Sequence, residues 1–122
     1  MDAAGPLESI ALFRIDLELR RPVGTAQGTH RRRPVAYVRV TTTTTEGYGE
    51  CAALESGTDV DAPFELVWTA LEKVGVPRLL AAVRARAGEL PPAAQVPLLF
   101  GRRAATRAVA AALEMAVLDA EL

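Results

Sequence analysis

The chain has 122 residues, of which 50% are hydrophobic, 24% charged and 5% aromatic, a composition typical of one folded domain. Fourteen basic residues against fifteen acidic ones give a net charge of −1, so no overall positive charge supports nucleic-acid binding. One cysteine excludes an internal disulfide, and one cysteine with one histidine cannot supply the ligands of a zinc site. The sequence shows neither a long apolar run nor a signal-peptide pattern, so we expect a cytoplasmic protein.

The first predicted strand covers residues 9–19, where apolar and polar residues nearly alternate. The alternation slips at Phe13 and Arg14, which predicts a bulge or a twist there. Residues 20–34 contain two glycines and two prolines and have no apolar period, so they predict a long loop. A connection of that length is typical of a functional or mobile segment.

Two further strands are predicted after this loop. The β-branched run at 35–42 predicts the second strand, and the extended pattern at 46–54 predicts the third. The chain must reverse between them, so we expect a turn near Thr43 and Thr44. The polar residues 55–63 predict a second loop.

Helices are predicted in the second half of the chain. Apolar residues at three- and four-residue spacing predict a helix at 62–74, which we expect Gly75 and Pro77 to end. A second short helix is predicted at 78–87, followed by an irregular connector at 88–101 that contains three prolines.

The last predicted helix covers residues 102–122 and carries a stripe of small residues. Because no Gly, Asn or Pro ends this helix, we expect the chain to be cut from a longer one. We also expect the stripe to be exposed, and to bind either a separate barrel domain or a second copy of the chain. The stripe consists of Ala105, Ala108, Ala112, Met115 and Ala116.

In this order, the segments resemble the N-terminal capping domain of the enolase superfamily. Within it they are most similar to the muconate-lactonizing subgroup and to o-succinylbenzoate synthases. The resemblance implies an α+β fold, with a three-stranded antiparallel meander packed on a helical bundle. The segments that carry it are RPVGTAQGTHRRR, VAYVRVTT, EGYGECAAL and AATRAVAAALEMAVLDAEL.

The resemblance also implies a function. The parent enzyme would abstract a proton alpha to a carboxylate of a small acid, with o-succinylbenzoate synthase, a dehydration in menaquinone biosynthesis, as the favoured reaction. Muconate cycloisomerase and dipeptide or N-acylamino-acid epimerase remain alternatives because they share the cap. A stand-alone, non-catalytic binding module is the alternative outside enzymes.

In that family, a TIM-like barrel supplies a catalytic lysine pair and three carboxylates that bind magnesium. We expect no such barrel within these residues, and the one lysine, Lys73, lies on a predicted amphipathic helix. The resemblance therefore implies that magnesium belongs to the parent enzyme. We expect no catalytic residue, metal ligand or cofactor in this chain.

The two loops contain the candidate substrate-capping residues, which by resemblance would close over the open end of the barrel and exclude water. The alternative is that both are ordinary surface loops. The first loop contributes Val23, Gly24, Thr25, Ala26 and Gln27, and the second contributes Leu54, Glu55, Ser56, Gly57 and Thr58.

Other residues with chemical potential favour structural roles. His30 has no identifiable orienting acceptor, so we expect a surface histidine. The basic run 31–33 is typical of a solvated face, with Arg33 ordering the entry to the second strand. Glu50 and Cys51 end a strand, where an acid binds loop backbone and a thiol fills core.

Two acids on the last helix are also candidates. Glu114 and Asp119 lie five residues apart, about 140° around a helix, so they cannot share a metal ion or a proton. We expect Asp119 to link the helix to the barrel.

Overall fold

The structure is a computed structural model that describes residues 5–25, 28–53 and 62–122. Three strands form an antiparallel sheet in the order β1-β2-β3, and the helices cover one of its faces. This confirms the predicted α+β meander on a helical layer. The elements are β1 (Leu7–Thr25), β2 (Gly28–Thr42), β3 (Glu46–Cys51), α1 (Phe64–Ala70), a π-helical turn (Leu71–Gly75), α2 (Val76–Ala85), a 3-10 helix (Ala93–Leu99) and α3 (Ala104–Glu121).

The core lies between the sheet and the helices. From Ala36 to Val40 of β2, every second residue faces the helices and is completely buried, as the period of a half-buried strand requires. α3 runs along β3 and supplies the largest share of buried helical residues. The core residues of these two elements are Ala36, Val38, Val40, Val109, Ala112, Leu113, Ala116, Val117 and Ala120.

The prediction of a loop at 20–34 is wrong, because β1 and β2 extend through most of this segment as one long hairpin arm. The arm is paired as far as Thr25 opposite Gly28. Glu18 lies opposite Arg32, and opposite charges on facing residues favour strand pairing. The sequence reading treated the arginines as solvated loop residues and so missed this pairing.

The two prolines of the arm occupy positions where a strand tolerates them. The pairing of β2 with β3 ends at Ala36, and Pro34 lies two residues before that point. The N–H that Pro34 lacks therefore removes no hydrogen bond to β3. Pro22 lies in the register shift between Glu18 and Val23. The bulge predicted at Phe13 and Arg14 is therefore misplaced, since the register is continuous there.

The helical boundaries also differ from the predicted ones. Gly75 and Pro77 do not end a helix: α1, the π-helical turn and α2 follow one another without a break. The π-helical turn widens the backbone just before Pro77, which cannot donate a helical hydrogen bond. Gly75 leaves room for the side chain of Val109 on α3, so it serves packing rather than termination. The predicted irregular connector contains the 3-10 helix.

The small residues of α3 pack on the glycines of β3. A Cβ atom added to Gly49 would lie 3.0 Å from the amide nitrogen of Ala116, and one added to Gly47 would lie 2.5 Å from that of Ala120. Ala112 and Ala116 are fully buried by this contact, so the expectation that they form an exposed stripe is wrong.

Side chains of α3 also cover the outer edge of β3. The Asp119 carboxylate accepts a hydrogen bond of 2.8 Å from the backbone N–H of Tyr48. The N–H of Glu50 lies 3.4 Å from the sulfur of Met115. Asp119 therefore binds within this chain, where the sequence reading expected a link to a barrel. Among the described residues, no helix is long and apolar enough to cross a lipid bilayer.

Candidate functional site

The two segments predicted to cap a substrate leave the sheet at the same end. β1 and β2 join at the tip of the hairpin arm, and β3 runs antiparallel to β2 and ends at Cys51 toward that tip. The turn at Thr43 and Thr44 closes the opposite end, as predicted. Val23 and Gly24 and the end of β3 that precedes the second segment therefore lie toward the same end of the sheet.

Of the first segment, Val23 and Gly24 lie in the last paired stretch of β1, opposite His30 and Thr29. The side chain of Val23 is 50% exposed, so a partner has access to it. Thr25 is the last residue of β1. Outside the described residues lie Ala26, Gln27, Leu54, Glu55, Ser56, Gly57 and Thr58, and their capping role stays a prediction.

Arg33 ties the hairpin arm to the start of the second segment. Its Nη2 atom donates a hydrogen bond of 2.7 Å to the backbone carbonyl of Ala52, just beyond the end of β3. A charged donor on a partly buried carbonyl makes a stronger bond than a neutral pair. This contact agrees with the predicted ordering role of Arg33.

A cleft lies between the base of the arm and the first residues of α1. Its walls carry both signs of charge beside one aromatic ring, so it is a polar site rather than an apolar pocket. The residues that line it are Arg14, Asp16, Arg32, Pro34, Phe64 and Glu65.

An ion pair closes one wall of this cleft. The Arg14 guanidinium donates two hydrogen bonds to the Glu65 carboxylate, one of them 2.9 Å from Nη1 to Oε2. The same guanidinium lies over the rings of Phe64 and Trp68, 5.0 and 6.0 Å from their centroids. The hydrogen bond that Arg14 donates to Glu65 lowers the pKa of the Glu65 carboxyl. The same hydrogen bond raises the pKa of the Arg14 guanidinium. The pair holds the start of α1 against β1.

Sequence reasoning missed this pair because its members lie 51 residues apart and neither belongs to a motif. It also misplaced His30, which is 7% exposed and therefore not a surface histidine. Pairing with Val23 in the hairpin arm places His30 inside a strand, where the predicted loop would have left it in solvent. Cys51 is buried as expected, and burial raises the pKa of its thiol.

Neither the cleft nor the arm offers a metal site. Within residues 5–25, 28–53 and 62–122, no three His, Cys, Asp or Glu side chains lie close enough together to hold a metal ion. Magnesium requires several oxygen ligands in near-octahedral positions, so the described residues do not fit the ion that the resemblance implies for the parent enzyme.

No protein-family model matches the chain. It is 32% identical over 116 residues to an N-succinylamino acid racemase from Amycolatopsis sp, a match that covers 95% of this chain and 30% of that protein. The chain thus spans about 30% of the length of this curated relative.

Solved structures share the fold. One is a probable mandelate racemase from Alicyclobacillus acidocaldarius, with 30% identity, a TM-score of 0.76 and coverage of 91% of this chain and 30% of that one. A member of the enolase superfamily from Enterococcus faecalis has 22% identity and a TM-score of 0.75, covering 98% and 31%. The L-Ala-D/L-Glu epimerase from Bacillus subtilis has 24% identity and a TM-score of 0.62, covering 92% and 30%. The chain therefore has the fold of the N-terminal domain of enolase superfamily proteins.

Proposed function

We propose that this chain is the capping domain of an enolase-superfamily enzyme, and that its hairpin arm and second segment cover an active site supplied by another domain. The observation that carries the proposal is that the hairpin arm and the end of β3, after which the second segment follows, lie toward the same end of the sheet. The contact of Arg33 with Ala52 supports it, because it ties the base of the hairpin arm to the chain just beyond β3, which leads to the second segment. A cap needs such a rigid base under its loops to exclude water from a reaction reproducibly.

For the parent enzyme we propose abstraction of a proton alpha to a carboxylate of a small acid. The racemase relative supports racemisation of an N-succinylamino acid, which belongs to the N-acylamino-acid alternative raised by the sequence. The dehydration that o-succinylbenzoate synthase catalyses stays a second proposal, which the sequence resemblance supports. The product of that reaction carries a succinyl group, as an N-succinylamino acid does. Muconate cycloisomerization remains an alternative with the same cap.

The role of this chain is positional in all these reactions. Its described residues offer no metal site, and the proposal assigns the proton-transferring groups to the other domain. The arm would orient the substrate and exclude water, while the pair of Arg14 and Glu65 would keep the start of α1 against β1.

A chimera tests the capping role. The segment of the Amycolatopsis racemase that matches this chain is replaced by residues 1–122, and racemisation of an N-succinylamino acid is measured. We expect the chimera to retain racemisation that the racemase lacking the segment loses. Arg33→Ala should raise the KM of the chimera more than Arg86→Ala, an exposed control near Gly88, which binds Leu7 at the end of the sheet away from the arm.

Two results would contradict the proposal. One is a folded, soluble chimera without activity, which would favour the stand-alone binding module. The other is an equal effect of the two arginine substitutions on KM. The reaction itself is tested on whatever polypeptide the reading frame around this chain encodes, with racemisation, dehydration and cycloisomerization assayed side by side.

A further inference from the structure

The two edges of the sheet differ in how their backbone groups are satisfied. α3 covers the edge of β3 through Asp119 and Met115, which lie against the N–H groups of Tyr48 and Glu50. In the described part of the chain, β1 pairs with β2 alone. A long uncovered edge strand is a template for pairing with another strand.

The alternation of the ladder identifies the free groups. Tyr48 directs its N–H away from β2, so its partner Arg39 directs its own backbone groups toward β1. Ala11 lies opposite Arg39, and its groups, like those of every second residue along β1, are bonded to β2. The residues between, Arg14 and Asp16 among them, present their N–H and C=O groups at the open edge.

The outer face of β1 is apolar next to this edge. Phe13 is 40% exposed, Ile15 45% and Leu17 49%, and all three lie on the face of the sheet opposite the helices. Together with Tyr48 they form a partly exposed apolar surface, on which the Arg39 guanidinium lies over the Phe13 ring, 5.2 Å from its centroid. Adjacent exposed apolar side chains favour burial by a partner.

We propose that β1 pairs antiparallel with β1 of a second copy of this chain, with Ile15 opposite Ile15 on the two-fold axis. In this register each Arg14, which within its own chain pairs with Glu65 and lies 3.7 Å from Asp16, also lies opposite Asp16 of the other copy. A shift of two residues in one direction pairs Arg14 with Arg14, and a shift in the other pairs Asp16 with Asp16. Charge complementarity therefore selects one register, since like charges opposite each other destabilise a sheet.

The apolar face fits the same register. Phe13 of each copy lies opposite Leu17 of the other, and Ile15 meets its own copy at a position without hydrogen bonds, where side chains approach most closely. The resulting six-stranded sheet has its helices on one face and a continuous apolar surface on the other. This arrangement rests on β1 alone and is independent of the proposed enzyme.

Cysteine cross-linking tests the register, in a Cys51→Ala background that removes the native thiol. Cα atoms about 4.5 Å apart at a position without hydrogen bonds lie within the range that a disulfide spans. Ile15→Cys should therefore form a covalent dimer under mild oxidation. Phe13→Cys and Leu17→Cys should each cross-link poorly alone and well when mixed, because like positions would lie about 13 Å apart. Leu98→Cys, at a position 82% exposed, is the control for random collision.

Light scattering tests association without cysteines. The wild-type chain should have twice its monomer mass of 13.0 kDa. Asp16→Arg should weaken the dimer at least tenfold, whereas Glu72→Arg, the same charge change at an exposed helical position, should not. A wild-type monomer at several hundred micromolar overturns the proposal. Equal cross-linking of Ile15→Cys and Leu98→Cys also overturns it. Either result is expected if the strand that pairs with β1 comes from another protein or domain.

Discussion

Replacing Gly49 with alanine is the sharpest test of the contact between β3 and α3. An added Cβ would lie 2.9 Å from the carbonyl carbon of Ala112 and 3.0 Å from the amide nitrogen of Ala116, and the Ala112 carbonyl oxygen lies closer still. All three are backbone atoms, so no side-chain rotation relieves the overlap. α3 has to move away from the sheet, which loosens the contacts of Val109, Leu113 and Val117 with the core.

The expected cost follows from overpacking, which destabilises a well-packed core by about 1–3 kcal/mol. Because the overlap is with backbone, we expect Gly49→Ala to cost about 2–3 kcal/mol. An unfolding entropy of about 2.1 cal/mol/K per residue over 122 residues gives about 0.26 kcal/mol/K, or about 4 °C per kcal/mol. The midpoint of thermal unfolding should thus fall by about 8–12 °C.

Urea unfolding and calorimetry measure this change, with Gly101→Ala as the matched control. A Cβ at Gly101 meets no atom within 4 Å, so that substitution should change the free energy of unfolding by less than about 1 kcal/mol. If Gly49→Ala also stays within about 0.5 kcal/mol of the wild type, the close approach of α3 to β3 is refuted.

Three further predictions concern single contacts. Asp119→Ala should destabilise the chain by about 1 kcal/mol in urea unfolding, and Asp119→Asn by less, because an amide oxygen still accepts from the N–H of Tyr48. Since Arg14 lowers the pKa of Glu65, the stabilisation by this pair is present above the ordinary carboxyl value of 4.5 and is lost as the pH falls through the lowered one. The difference in unfolding midpoint between wild type and Glu65→Gln should therefore disappear in acid, and a difference that persists there would contradict the pair. Finally, burial and the raised pKa of Cys51 should make its reaction with a thiol reagent much slower in the native chain than in urea, and equal rates would show an exposed thiol.

Local patterns in the sequence predicted the type and order of the main elements. Alternation indicated the strands, three- and four-residue spacing indicated the helices, and the threonine-rich turn lies where it was expected. These signals arise from the period of each element and from one buried face, so neighbouring residues contain the needed information. The order of the elements was enough for the resemblance to the N-terminal domain of the enolase superfamily, and the chain shares that fold with solved structures.

Interactions between distant segments decided the rest. Turn-forming residues at 20–34 predicted a loop, but pairing of β1 with β2 made them a strand arm and buried His30. Gly75 and Pro77 form a local pattern that is typical of a helix end. In the folded chain, Gly75 instead provides the space that the side chain of Val109 on α3 requires. Backbone hydrogen bonds across strands and packing between helices outweigh local propensity when they satisfy buried groups.

The contact of β3 with α3 shows most clearly which features the local sequence predicts and which ones only the folded chain determines. The sequence displays a GYGE strand and an alanine stripe, and each by itself indicates only small side chains. Neither reveals that Gly47 and Gly49 face Ala112, Ala116 and Ala120, so the stripe was assigned to an external partner. A small residue marks a place where two backbones can approach, and only the folded chain determines which second backbone lies there.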